Sequence, residues 1–197
     1  MSLRFFVDNL VKESLITASS NDAQFPSENI KDDRRTKVFR SISNSCNIVF
    51  DFGTVSDIDS IAIVDSNIDQ IGFTTATIEL NNTNSWGSPP VSQALTIDSL
   101  NGWVNFNWST VQSYRFARLV LDNGANPVEV SKVFIGKSNY MESVCFTYPM
   151  RYSQNNRATV QTNRYGQKFF DEISTQKLVS GTIPSLNKDE MDMILEI

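Results

Sequence analysis

The chain has 197 residues, of which 40% are hydrophobic and 20% charged, a balance that excludes wholesale disorder and suits one domain of ordinary size, with or without an appendage. Its net charge of -5 argues against a nucleic-acid footprint, which needs a basic face. No run of 18 apolar residues occurs, so no transmembrane helix is predicted.

The opening, Met1 to Leu15, has an early charge at Arg4 and only a short apolar stretch. It lacks the long apolar region and small-residue cleavage site of a secretory signal. Period-2 alternation then dominates from residue 46 to residue 136. Cys46, Ile48, Phe50 and Phe52 alternate with Asn47, Val49 and Asp51, predicting a strand with one buried face. Ile61 to Val64 is apolar on both faces and predicts a central strand. Ala76, Ile78 and Leu80 predict another half-buried strand, followed by a long polar loop from Asn81 to Pro90 that carries Trp86. Asn101-Gly102 marks a tight turn before the alternating Val104, Phe106 and Trp108, which places Trp108 in the core and Trp103 on the opposite face. Leu119 to Leu121 reads as a second central strand, ended by the turn Asp122-Asn123-Gly124. Short strands at this spacing, with no helical segment between them, indicate an antiparallel sandwich or jelly roll.

After Gly136 the texture changes. Residues 138–184 are polar, with spaced arginines at Arg151, Arg157 and Arg164 and short strand-like runs at Val144 to Tyr148 and Ala158 to Val160. A short terminal helix is predicted from Asn187, with Glu190 placed as in a capping box and Met191, Ile194 and Leu195 on one face. Two turns are marginal alone, so this helix docks on the sandwich or the natural protein continues beyond it. The predicted organisation is a β-sandwich over 1–137 and a β-rich extension over 138–197, truncated in the second case. Cys46 and Cys145 read either as two free thiols or as one disulfide; sequence does not supply the separation that decides between them.

Ordered motifs give this pattern a family likeness. Ile16 to Ser20 is a small, Ser-rich strand, followed by Pro26, the turn Glu28-Asn29-Ile30-Lys31-Asp32, Thr36 and Phe39-Arg40-Ser41. Phe50-Asp51-Phe52-Gly53 follows, then the aliphatic strand to Val64, and the closing pieces Tyr114 to Leu119 and Val130 to Gly136. Over about 120 residues this order resembles a discoidin (coagulation-factor C-type, galactose-binding-like) domain, which implies an all-β antiparallel jelly-roll sandwich. The resemblance also implies a calcium site, of which Asp32 and Thr36 match part. Asp33 stands where the family has Gly and Ser131 where it has Glu, so the ligand set falls short of the six to eight oxygens calcium takes. No cofactor is therefore expected, with calcium the one candidate. Phe39 stands at the family's frequent Trp, and neither cysteine is placed for the usual disulfide joining the domain ends.

The segment after Gly136, with Tyr165-Gly166-Gln167-Lys168-Phe169-Phe170 and Ser185 to Glu190, is similar to structural proteins of tailed-phage virions. That likeness implies a tail or virion protein assembled in the host cytoplasm, with other tail proteins and copies of itself as partners, and with surface glycans as a further contact.

Catalysis is not expected. The chain has no His, the commonest general base, and no nucleophile elbow, P-loop or Cys-x-x-Cys. Asp32-Asp33 and Asp189-Glu190 read as turn and cap carboxylates. Ligand-binding candidates are Trp86, as an aromatic platform, with Arg34, Arg35 and Arg40 as planar donors; their plainer reading is a loop anchor and a solvated basic turn. Asn81-Asn82-Thr83 and Asn107-Trp108-Ser109 fit the glycosylation pattern by chance. The expected function is a non-enzymatic phage or prophage tail component, with a carbohydrate-binding module or adhesin as the alternative.

Overall fold

The computed structural model describes residues 3–32, 37–66, 75–98, 103–124, 126–141, 147–162 and 168–182. Eleven strands run in chain order: β1 (Leu3–Asn9), β2 (Leu15–Ala18), β3 (Phe39–Arg40), β4 (Ser45–Ser66), β5 (Thr75–Asn81), β6 (Val91–Ala94), β7 (Thr96–Asp98), β8 (Trp103–Asp122), β9 (Glu129–Met141), β10 (Thr147–Thr162) and β11 (Lys168–Thr182). A 3-10 helix, Ser27–Lys31, lies between β2 and β3. Chain contacts separate one compact unit, Phe5–Asn139, from a second made of Met1–Arg4 and Tyr140–Ile197. The boundary read at 137/138 thus falls inside β9. The terminal helix expected from Asn187 lies outside the described residues, as do Cys145 and the Asn101-Gly102 turn.

Within the first unit, β4 and β8 form one long antiparallel ribbon that bends over on itself. Its register slips twice: β4 advances from Asp51 to Ser56 while β8 moves only from Phe116 to Tyr114, and β8 then covers Gln112 to Asn107 while β4 moves from Ile58 to Ser60. The slips split each strand into two limbs and so create two layers. The first layer holds β2, the early limb of β4, the late limb of β8, β5 and β6. The second holds β1, β9, the late limb of β4, the early limb of β8 and β7, with β3 beside the start of β9. The pairings β2–β4, β3–β9, β4–β8, β4–β9, β5–β6, β5–β8 and β7–β8 are antiparallel.

The inner faces follow the alternation in the sequence. In the first layer, Ile48, Leu119 and Ile78 share one cross-strand row, and Phe50, Ala117 and Leu80 the next. The small Ala117 leaves room for Phe50 beside it, which is how large and small side chains interdigitate at crystal-like density. In the second layer Ile61 faces Ile135, and Ile63 faces Val133. All ten residues are buried in one core. Burying each aliphatic or Phe side chain contributes about 1.5–3 kcal/mol, so this inner surface is the main stabilising term. The limbs read as central strands do have partners on both sides. Trp108 packs against the core, as its alternation predicts.

The second unit differs from its sequence reading. The short runs expected there are two long strands, β10 and β11, paired antiparallel from Thr147↔Thr182 to Thr162↔Lys168.

Candidate functional site

The topology gives the sandwich two ends. One carries the β1–β2 turn (Leu10 to Ser14), the β4 kink at Phe52 to Val55, the β5–β6 loop and the β8 kink. The other carries β3, the start of β9 and the turn after Asp122. Trp86 belongs to the first end and Arg40 to the second, so these two predicted residues do not share a site.

Trp86 is half-buried and folds back over the outer face of the first layer. The Arg118 guanidinium stacks 4.7 Å from its ring centroid, and its indole N–H donates to Asn84 Oδ1 at 2.7 Å. Arg118 in turn pairs across the strands with Glu79, its Nε donating to Oε2 at 2.6 Å. The plainer reading of Trp86 as a loop anchor therefore describes its geometry. Arg40 is likewise engaged: its Nε and Nη2 both lie 2.6 Å from Glu129 Oε1, and its guanidinium stacks 4.5 Å from the Phe25 centroid. Arg34, Arg35 and Thr36 lie outside the described residues. Asp32 closes the 3-10 helix through its backbone N–H to Asn29 O at 3.1 Å. Among the described residues, no three or more His, Cys, Asp or Glu side chains are grouped to hold a metal ion.

The first end holds a cleft of about 640 Å³ lined by Asp8, Asn9, Leu10, Glu13, Phe52, Val55, Ser56, Asp57 and Lys137. That volume is in the range of small-molecule ligand sites. Its walls are built from three places distant in sequence. Asn9 fixes the β1–β2 corner: its Nδ2 donates to Val133 O at 3.0 Å, and its Oδ1 accepts from Val11 and Ile135 N–H at 3.2 and 3.3 Å. The β4 kink supplies the apolar floor. Gly53 takes φ +78°, a left-handed conformation that an L side chain rarely adopts. Its N–H donates to Asp51 Oδ1 at 2.8 Å, and Arg115 grips the same carboxylate at both oxygens, 2.8 and 2.9 Å away. The hydrogen bonds from Arg115 hold the Asp51 carboxyl below its ordinary range. Phe52, expected on the buried face with Phe50, packs half-buried against the core and also lines the cleft beside Val55, which is 59% exposed. On the far wall, Asp57 accepts from Ser113 Oγ at 2.7 Å and from Lys137 Nζ at 2.8 Å.

Sequence reasoning missed this cleft for a physical reason. Asp8 and Glu13 belong to a flank that carries no motif, and β9 delivers Lys137 opposite Asp57 only through long-range pairing. The one available signal was Asp-Phe-Gly at 51–53, a turn sequence that breaks a strand.

No protein-family model matches the chain, and no curated protein matches it at a significant level. Solved structures do. A chitosan-binding module derived from a chitosanase/glucanase of Paenibacillus sp. IK-5 superposes with a TM-score of 0.52 at 14% identity, covering 66% of this chain and 99% of that one. A fucose-binding module of Streptococcus pneumoniae gives 0.53 at 13% identity, covering 66% of this chain and 98% of that one. A GH29 fucosidase of Ruminococcus gnavus, in complex with fucose, gives 0.56 at 15% identity, covering 67% of this chain but 27% of that one. At such identities the likeness shows the fold alone: an antiparallel β-sandwich that carbohydrate-binding modules also have.

Proposed function

We propose that the sandwich is a non-catalytic carbohydrate-binding module and that the cleft at its β1–β2 end is the saccharide site. The observation that carries this reading is the lining of the cleft. An apolar strip of Leu10, Phe52 and Val55 offers a face for the C–H side of a pyranose, and carboxylates and an ammonium on the rim offer partners for hydroxyls. The fold supports it, since modules with this sandwich are named for binding chitosan and fucose. A glycan array probed with the whole chain tests it, with Phe52→Ala as the control. Binding to at least one saccharide class, weakened roughly tenfold or more in Phe52→Ala, is the expected outcome. Array signals that Phe52→Ala leaves unchanged would remove the cleft from the reading.

The virion reading keeps a narrower support, the β10–β11 ribbon. A two-stranded ribbon is marginal by itself in water, so contact with neighbouring subunits or proteins would stabilise it. The tail-protein expectation is otherwise weaker than the binding-module one, because the structural likeness is to carbohydrate-binding modules. Recovery of the protein with purified phage particles would restore it.

A further inference from the structure

We propose that the cleft selects saccharides carrying a protonated amino group, of the glucosamine type, over neutral and uronic-acid sugars. This rests on the reading of the cleft as a saccharide site and adds the charge class of its ligand.

The argument is the charge left over after the pairs in the cleft are formed. Lys137 and Asp57 neutralise each other at 2.8 Å. Lys137 also feels the fields of Asp59 and Asp8, which help hold its ammonium charged. Asp8 and Glu13 remain on the exposed rim, and no ion pair or side-chain hydrogen bond engages either of them among the described residues. Among the described residues the cleft therefore sets three carboxylates, Asp8, Glu13 and Asp57, against the one ammonium of Lys137, and keeps a negative excess. Its neutral donors are already occupied. The Asn9 amide is committed at both ends, and Ser56 Oγ donates to Thr54 O at 3.3 Å. Lys12, in the same turn, lines a different pocket with Phe6, Ala62 and Phe134.

Three consequences follow for a ligand. A uronate brings a like charge to this rim and finds no unpaired cation there. A neutral sugar gains the apolar floor and hydroxyl hydrogen bonds to the rim carboxylates, but brings no charge to pair with them. A sugar with a ring ammonium gains the same floor and, in addition, charge-assisted hydrogen bonds to Asp8 and Glu13. A bare metal ion would need oxygens converging on one point, and the described residues present no such group.

Calorimetry on the whole chain at mildly acidic pH tests the proposal, with glucosamine oligomers, N-acetylglucosamine oligomers of the same length, mannuronate oligomers and a short oligolysine peptide. The glucosamine oligomer is expected to bind roughly tenfold or more tighter than its acetylated counterpart. Mannuronate is expected to show no binding, and oligolysine only weak binding that salt abolishes. The double variant Asp8→Asn, Glu13→Gln should bring the glucosamine affinity down to the acetylated level. Both side chains are exposed, so its melting temperature should not change. Equal affinity for the two oligomers, a double variant that binds like the parent, or oligolysine binding as tightly as glucosamine would overturn the charge assignment. The saccharide reading would still stand if neutral glycans bind in a Phe52-dependent way. No saccharide bound in any arm would overturn both.

Discussion

Gly136 ends the core-facing part of β9, and its missing side chain is what lets β1 approach. A Cβ there would lie 1.8 Å from the backbone oxygen of Asp8, an atom that cannot swing aside as a side-chain tip can. Gly136→Ala is therefore expected to push β1 off β9 and destabilise the sandwich by about 1–3 kcal/mol or more. Because Asp8, Asn9 and Leu10 line the cleft, saccharide binding should weaken with it. Gly87→Ala is the matched control: nothing lies within 4 Å of its added Cβ, so it should stay within about 0.5 kcal/mol of the parent. Urea melts of the two variants make the comparison. A Gly136→Ala midpoint equal to that of Gly87→Ala would refute the close approach. Asp51 shows residue-scale chemistry of another kind. Arg115 and the Gly53 N–H hold its charge in place, so this one carboxylate fixes the kink from which Phe52 emerges.

At the scale of elements, the bent β4–β8 ribbon decides what each loop can do. Strand alternation on its own carries no instruction about where a ribbon folds over; the slips at Asp51/Ser56 and Ile58/Ser60 make that decision. The β5–β6 loop is tied down by a different device. Trp86 rests on Arg118, whose side chain is 18% exposed and whose partner Glu79 is 13% exposed. Replacing Arg118 by Met removes the stack and leaves a largely desolvated carboxylate unpaired, a cost of about 1–3 kcal/mol. The Trp86 share of the fluorescence, isolated by subtracting the Trp86→Phe spectrum, is expected to shift to the red and become more quenchable by acrylamide. An unchanged spectrum would mean that the loop holds Trp86 without the stack.

At the scale of the molecule, the Phe5–Asn139 unit has its own core and its own cleft. A chain of residues 3–141 is expected to melt in a single cooperative step and to retain glycan binding; a broad, sloping thermal transition by far-ultraviolet circular dichroism would contradict this. The sequence by itself determined the class of the fold. Period-2 patterning marks which faces are buried, doubly apolar runs mark the central limbs, and the ordered motifs from Ile16 to Gly136 carry the discoidin likeness. These signals are local, or repeat along one strand, so they survive without coordinates. The length of β10 and β11 was less legible, because mostly polar strands leave a weak period. The proposed cleft was decided by tertiary structure alone. Trp86 and Arg40 look like partners in a list of residues, yet the topology sends them to opposite ends and pairs each with a structural neighbour. Asp8, Glu13, Phe52 and Lys137 carry no shared motif, yet β1 laid against β9 and the slip in β4 bring them to one cleft. A binding site is a meeting of distant segments, and only long-range register sets which segments meet.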